Sequence, residues 1–104
     1  MITYQDFKKL DFRVGEIVKA EEIEDADSLY KLQVDLGGEK RQILAGIKKF
    51  YELEELEGKK IIVLVNLEPK EMFGEESEGM LLAVGKEARL LTTDGEVENG
   101  KRVS

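Results

Sequence analysis

The sequence predicts an all-β domain: a five-stranded Greek-key barrel with a short N-terminal helix, a helical turn between strands 3 and 4, and a C-terminal β extension. Three observations predict it. Residues 29–36 alternate cleanly, with Tyr30, Leu32, Val34 and Leu36 on one side and Lys31, Gln33 and Asp35 on the other, the period of a half-buried strand. A long run, 12–23, changes phase at Gly15-Glu16, as a first strand does where a small sheet curls into a barrel. A helical pattern then separates the hairpin that follows from an Ile/Val-rich strand at 60–67.

In chain order, Thr3 with Asp6 three residues on has the spacing of a capping box, which predicts a helix over 4–9 with Phe7 and Leu10 toward the core. Phe12, Val14, Val18 and Ala20 are the inward positions expected of the first strand, and Asp25-Ala26-Asp27-Ser28 is its closing turn. Gly37-Gly38 marks a hairpin into a partner strand at 40–45, ended by Gly46. Helical turns at 47–51 and 52–57 stop at Gly58, placed as a C-cap glycine. The strand at 60–67 runs into a polar stretch, Asn66 to Gly79, that holds the chain's single proline, Pro69, and reads as a loop. Strands follow at 80–84, 88–93 and 96–103, the last two around the turn dipeptide Asp94-Gly95. This is the plan of the OB-fold. On pattern alone an SH3-like barrel is the alternative.

Composition narrows the function. At 104 residues the chain is expected to be one domain, 1–104. No apolar run reaches the 18 or so residues of a membrane span, and residues 1–6 lack the features of a signal peptide. Cys and His are absent, so thiolate nucleophiles, Ser-His triads and Cys- or His-based metal sites are excluded. The cytoplasm is the expected compartment, with no membrane partner. The net charge of −7 argues against indiscriminate nucleic-acid binding. Charge is uneven, however: 31–49 carries five basic residues against two acidic, and 68–78 one basic against five acidic.

Five blocks then carry a family resemblance. They are Asp11-Phe12-Arg13-Val14-Gly15-Glu16-Ile17, Asp25-Ala26-Asp27-Ser28-Leu29-Tyr30, Arg41-Gln42-Ile43-Leu44-Ala45-Gly46-Ile47, Asn66-Leu67-Glu68-Pro69-Lys70, and Ser77-Glu78-Gly79-Met80-Leu81-Leu82-Ala83. In this order and spacing, over about residues 8–104, the chain resembles the tRNA-binding domain of methionyl-tRNA synthetases, phenylalanyl-tRNA synthetase β subunits, the endothelial monocyte-activating polypeptide II group and the chaperone CsaA. The resemblance implies an OB-fold that reads the general shape of tRNA, with no catalytic site and no cofactor. It also implies a homodimer joined through the N- and C-terminal additions. As a chain of this length it is similar to the methionyl-tRNA synthetase β subunit, with tRNA and an aminoacyl-tRNA synthetase as partners. Ile23-Glu24 replaces a His-Pro common in the family, Glu68 and Phe73 stand where basic residues are usual, and Glu71 and Glu78 add acid. These departures favour, as the alternative, a protein-binding module of the same fold: a chaperone-like dimer or a synthetase-assembly adaptor.

On this resemblance the candidate tRNA-binding residues are Lys31, Gln33, Arg41, Gln42, Lys48, Asn66, Lys70, Ser77 and Met80. Lys31 and Gln33 suit phosphate and base contacts from the outer sheet face, or are simply solvated. Arg41 and Gln42 bind, or pair across the hairpin. Lys48 and Lys70 offer charge to phosphate, Lys70 within the Leu-Glu-Pro-Lys block. Asn66 contacts a nucleotide or holds the turn before Pro69. Ser77 meets RNA or caps the next segment, and Met80 is a platform for a base or core.

Overall fold

The computed structural model describes residues 1–104. Strands β1 (Phe12–Glu22), β2 (Tyr30–Asp35), β3 (Lys40–Ala45), β4 (Lys60–Leu64) and β7 (Met80–Leu81) form one antiparallel sheet in the order β3-β2-β1-β4-β7. The sheet curls into a nearly closed barrel, the OB-fold expected. Helix α1 (Tyr4–Lys8) precedes it, and α2 (Leu53–Leu56) lies between β3 and β4. Two small ribbons are added: β5 (Lys70–Met72) with β6 (Glu75–Ser77), and β8 (Ala83–Val84) with β9 (Arg89–Leu90). No helix is long and apolar enough to cross a membrane.

Alternation in β2 has the predicted consequence. Tyr30, Leu32, Val34 and Leu36 are buried and meet Ile17, Ile43, Ile61, Val63 and Leu81 in one core. Ile47 and Leu56 belong to the same core, and a fully buried side chain of this size contributes roughly 1.5–3 kcal/mol. The Tyr30 hydroxyl donates to the Tyr51 carbonyl at 2.8 Å, and burial raises its pKa above the ordinary value.

The bend in β1 falls at Val18, beyond the Gly15-Glu16 step where its sequence predicts it. The register against β2 slips between Ile17 and Lys19. Val18 therefore bulges outward and is half-exposed, and Ile17 and Ala20 both point inward. Gly15 has a different role. A Cβ there would stand 2.6 Å from Val34 Cγ1 and 3.0 Å from Leu36 Cδ2, so the missing side chain is what lets β2 close over β1. Val14, expected inside, lies on the opposite face. It is buried because the C-terminal segment covers it: its N–H donates to the Lys101 carbonyl at 2.9 Å and its carbonyl accepts from Gly100 at 2.7 Å.

Three other expectations change. The stretch 66–79 is not a plain loop but holds the β5–β6 ribbon, turned at Phe73-Gly74 with φ of +53° and +77°. A two-residue turn of this type usually starts with Asn, Asp or Gly, so Phe73 conceals it. The C-terminal ribbon forms at 83–84 with 89–90, and none forms around Asp94-Gly95. Backbone groups of 100–103 bond to the start of β1 instead, including Val103 N–H to the Phe12 carbonyl at 2.8 Å. The capping box of α1 is present, but Phe7 and Leu10 do not reach the core. They line a surface cleft with Tyr4, Arg102 and Val103.

Asp11 ties the two termini to the barrel. Its carboxylate accepts from Arg13 Nε and Nη2 at 2.9 and 3.0 Å and lies 3.6 Å from Arg102 Nε. Its backbone carbonyl accepts from Val65 at 2.9 Å. The Arg13 hydrogen bonds are the main reason its pKa is held below the usual aspartate range. A lowered folded pKa means stability that is present above the unfolded value, about 3.9, and is lost as pH falls through the folded one. Asp11→Asn is therefore expected to lower unfolding free energy at pH 7 by up to ~1 kcal/mol. The gap from wild type should close in urea melts run below about pH 4.

Candidate nucleic-acid interface

The outer edge of β3 and the turn that leads into β7 build the site together. The N–H groups of Gln42 and Leu44 point away from β2 and would be orphaned at an open edge. Leu44 N–H donates to Ser77 Oγ at 3.0 Å, and that hydroxyl donates to the Gly79 carbonyl at 2.9 Å. Gln42 N–H donates to Glu78 Oε1 at 3.1 Å, and Glu78 N–H returns a bond to the Gln42 carbonyl at 2.8 Å. Gly79, at φ +152°, fits here because a Cβ would stand 2.8 Å from the Leu64 carbonyl and 3.1 Å from Ile43 Cδ1. Arg41 crosses the same seam, donating from Nη1 to the Val65 and Glu78 carbonyls and from Nε to Glu39 at 3.3 Å.

Outside this seam lies a polar network on the face of β2 and β3. Gln33 and Gln42 are directly opposite, and Gln33 Nε2 donates to Gln42 Oε1 at 3.0 Å. Gln42 Nε2 donates to the Glu76 carbonyl at 2.9 Å and to Glu75 Oε1 at 3.3 Å. Lys31 Nζ lies 3.2 Å from Glu75 Oε2. The β5–β6 ribbon thus leans over β3 and lays Glu75 across the donors.

The sequence-predicted residues divide accordingly. Lys31, Gln33 and Gln42 are brought together. Lys70 and Met80 stand at the border, lining with Leu67, Met72 and Ser77 a cleft of about 170 Å³. Met80 is 48% exposed, so it is not core. Ser77 is buried and Arg41 is bound to backbone carbonyls, so both hold the seam. Asn66 holds the N-terminal segment: its Oδ1 accepts from Asp11 N–H at 3.0 Å and its Nδ2 donates to the Lys9 carbonyl at 2.7 Å. Lys48 is not in the network. It bonds the Ala26 carbonyl at 3.1 Å and Glu22 at 3.0 Å, holding the β1–β2 turn. Residue patterns missed Glu75 and Glu78 as participants, both counted only as acid. Recognising Phe73-Gly74 as a turn would have placed Glu75 opposite Met72 and Ser77 opposite Lys70.

A family model described as "Putative tRNA binding domain" matches residues 12–102. The chain belongs to the tRNA-binding domain family. It is 52% identical over 102 residues to a methionine–tRNA ligase of Halobacterium salinarum, covering 98% of this chain and 15% of that protein. It thus spans about 15% of the length of such relatives. Among solved structures it is similar to a MetRS-related protein of Pyrococcus horikoshii, with TM-score 0.91 and 43% identity, covering 100% of this chain and 98% of that one. It is also similar to the chaperone CsaA of Bacillus anthracis, with TM-score 0.90 and 35% identity, covering 100% and 99%. The tRNA-binding domain is a binding module, and its polar face here lies on an OB barrel sheet, a surface such barrels use for oligonucleotides.

The seam gives a prediction on stability. Ser77→Ala leaves the Leu44 N–H and the Gly79 carbonyl without their buried partner and should cost ~1–3 kcal/mol. Met80→Ala should cost under ~1 kcal/mol, because half of that side chain already meets water. Chemical denaturation of the two single variants checks the order.

Proposed function

We propose that this tRNA-binding domain binds tRNA by general shape and acts as an accessory to an aminoacyl-tRNA synthetase in the cytoplasm, with no catalysis of its own. The observation that carries this reading is the convergence of Lys31, Gln33 and Gln42 on the outer face of β2–β3. Lys70 and Met80 extend that face along the neighbouring cleft. An ammonium suits a phosphate, an amide suits a base edge or a ribose hydroxyl, and a thioether suits a base face. Arg41, Asn66, Ser77 and Lys48 support the face and its surroundings rather than reach from it. The synthetase role rests on the methionine–tRNA ligases that carry similar domains.

Binding measured against total tRNA at several salt concentrations tests the reading. Lys31→Ala with Lys70→Ala should weaken different tRNAs alike and lower the slope of log affinity against log salt by about one, chiefly through Lys70. Sequence-dependent losses, or a duplex RNA control bound as well as tRNA, would count against shape recognition. The apolar cleft of about 440 Å³ between Leu29, Leu44, Ile47, Met72 and Leu82 supports a second reading, a protein-binding module. Wild-type protein with no salt-dependent tRNA binding would favour it.

We also propose a homodimer. No residue of α1 is buried, Tyr4 and Leu10 present apolar surface beside Val103, and Ile2 is exposed as well. A second copy covering this face would bury it, and twofold pairing is the commonest closed arrangement. Light scattering should give twice the chain mass at micromolar concentration, and Tyr4→Asp with Leu10→Asp should give the monomer.

A further inference from the structure

We propose that Glu75 is a built-in competitor for the ligand face, seated where a bound phosphate would sit, and that it sets the affinity and salt dependence of nucleic-acid binding. The inference rests on the tRNA-binding reading above. Both oxygens of this one carboxylate are engaged by donors of that face: Oε2 lies 3.2 Å from Lys31 Nζ, and Oε1 accepts from Gln42 Nε2 at 3.3 Å. Gln42 is itself held by Gln33. A carboxylate bridging an ammonium and an amide presents them with the geometry and charge sign of two phosphate oxygens.

The Glu75 side chain can leave while its ribbon stays, because Ser77 and the Glu76 carbonyl hold the ribbon on β3. The β5–β6 ribbon has three residues in each strand and pairs only with itself as a sheet. The bonds that close the barrel belong to Ser77, the last residue of β6, and to Glu78, and none of them involves the Glu75 side chain. The side-chain bonds of Glu75 go to Lys31 and Gln42 alone, so its carboxylate can swing into water without opening the seam. Other acids nearby are differently placed. Glu21 faces Lys31 across β1–β2 but pairs with Lys19 at 3.7 Å. Glu71 and Glu76 are exposed and face each other on the ribbon.

An incoming RNA phosphate therefore exchanges with Glu75. The Lys31–Glu75 pair is neutral before binding, and the released carboxylate stays near the RNA. In the wild type Lys31 then adds almost nothing to net phosphate neutralisation. Without the Glu75 charge it should add about one to the salt slope.

The test is tRNA affinity across a salt series for wild type, Glu75→Gln, Glu71→Gln, Lys31→Ala and the Lys31→Ala/Glu75→Gln double variant, with a thermal melt of each. Glu75→Gln is expected to tighten binding about two- to fivefold at low salt, the range of a partly exposed ion pair. It should steepen the slope by about one. Glu71→Gln, which removes the same charge away from the donors, should tighten binding less. The gain from Glu75→Gln should shrink toward unity when Lys31 is already alanine. Wild type that binds tRNA while Glu75→Gln matches it in affinity and slope overturns the competitor and leaves tRNA binding standing. An equal gain from Glu71→Gln, or an undiminished gain without Lys31, also overturns it. No binding by either wild type or Glu75→Gln overturns both readings.

Discussion

Strand β3 has a neighbour on one side only, and β7 is two residues long. No backbone ladder runs between them, so side chains close the barrel together with one backbone bond, Glu78 N–H to the Gln42 carbonyl. The Ser77 hydroxyl and the Glu78 carboxylate take the N–H groups of Leu44 and Gln42 that a missing strand would otherwise have taken. Left unpaired in a half-buried seam, each such group would cost ~1–3 kcal/mol. Gly79 completes the closure, because only a residue without a Cβ can pass between the Leu64 carbonyl and Ile43. The tetrad Ser77-Glu78-Gly79-Met80 is therefore first a closure device. Only its last side chain is left half-exposed.

Closure and the proposed ligand face share a residue. The backbone of Gln42 belongs to the seam and its side chain belongs to the polar network. That coupling fixes the network's position to the barrel, which a ligand face on a long free loop would lack. It also means that binding losses at Arg41, Ser77 or Glu78 mix two causes, a displaced face and a lost contact. Lys31 and Lys70 are better probes, since neither holds the seam.

The parts legible in the sequence were those set by local period and local chemistry. Alternation from Tyr30 to Leu36, the glycine pair at 37–38, the Thr3–Asp6 capping box and the stop at Gly58 all report nearest neighbours along the chain. The failures share a different origin. Val14 is buried by residues 100–101, far away in sequence. Of the strands expected around Asp94-Gly95, the first pairs with β8 and the end of the second gives its backbone bonds to β1. The roles of Arg41, Asn66 and Ser77 in holding the fold were equally hidden, because their polar atoms bond backbone groups distant in sequence. A motif records that a residue type matters at a position, and it does not separate holding the fold from touching the ligand. The β5–β6 ribbon escaped notice for a local reason: a phenylalanine occupies the first place of its turn.

The acidic total was the strongest sequence argument against nucleic acid, and the structure shows why a total decides little. Exposed charges act over about 8 Å at physiological salt, so the face responds to its own neighbours and not to all 23 acidic side chains. Of the acids in the ribbon segment that seemed to oppose phosphate, Glu78 is committed to a backbone N–H and Glu75 to Lys31 and Gln42. Only Glu68, Glu71 and Glu76 are exposed there. The local balance at the face thus turns on one ion pair, Lys31 with Glu75, the pair proposed to exchange with phosphate. An RNA that displaces that carboxylate meets an ammonium and an amide already positioned by the barrel.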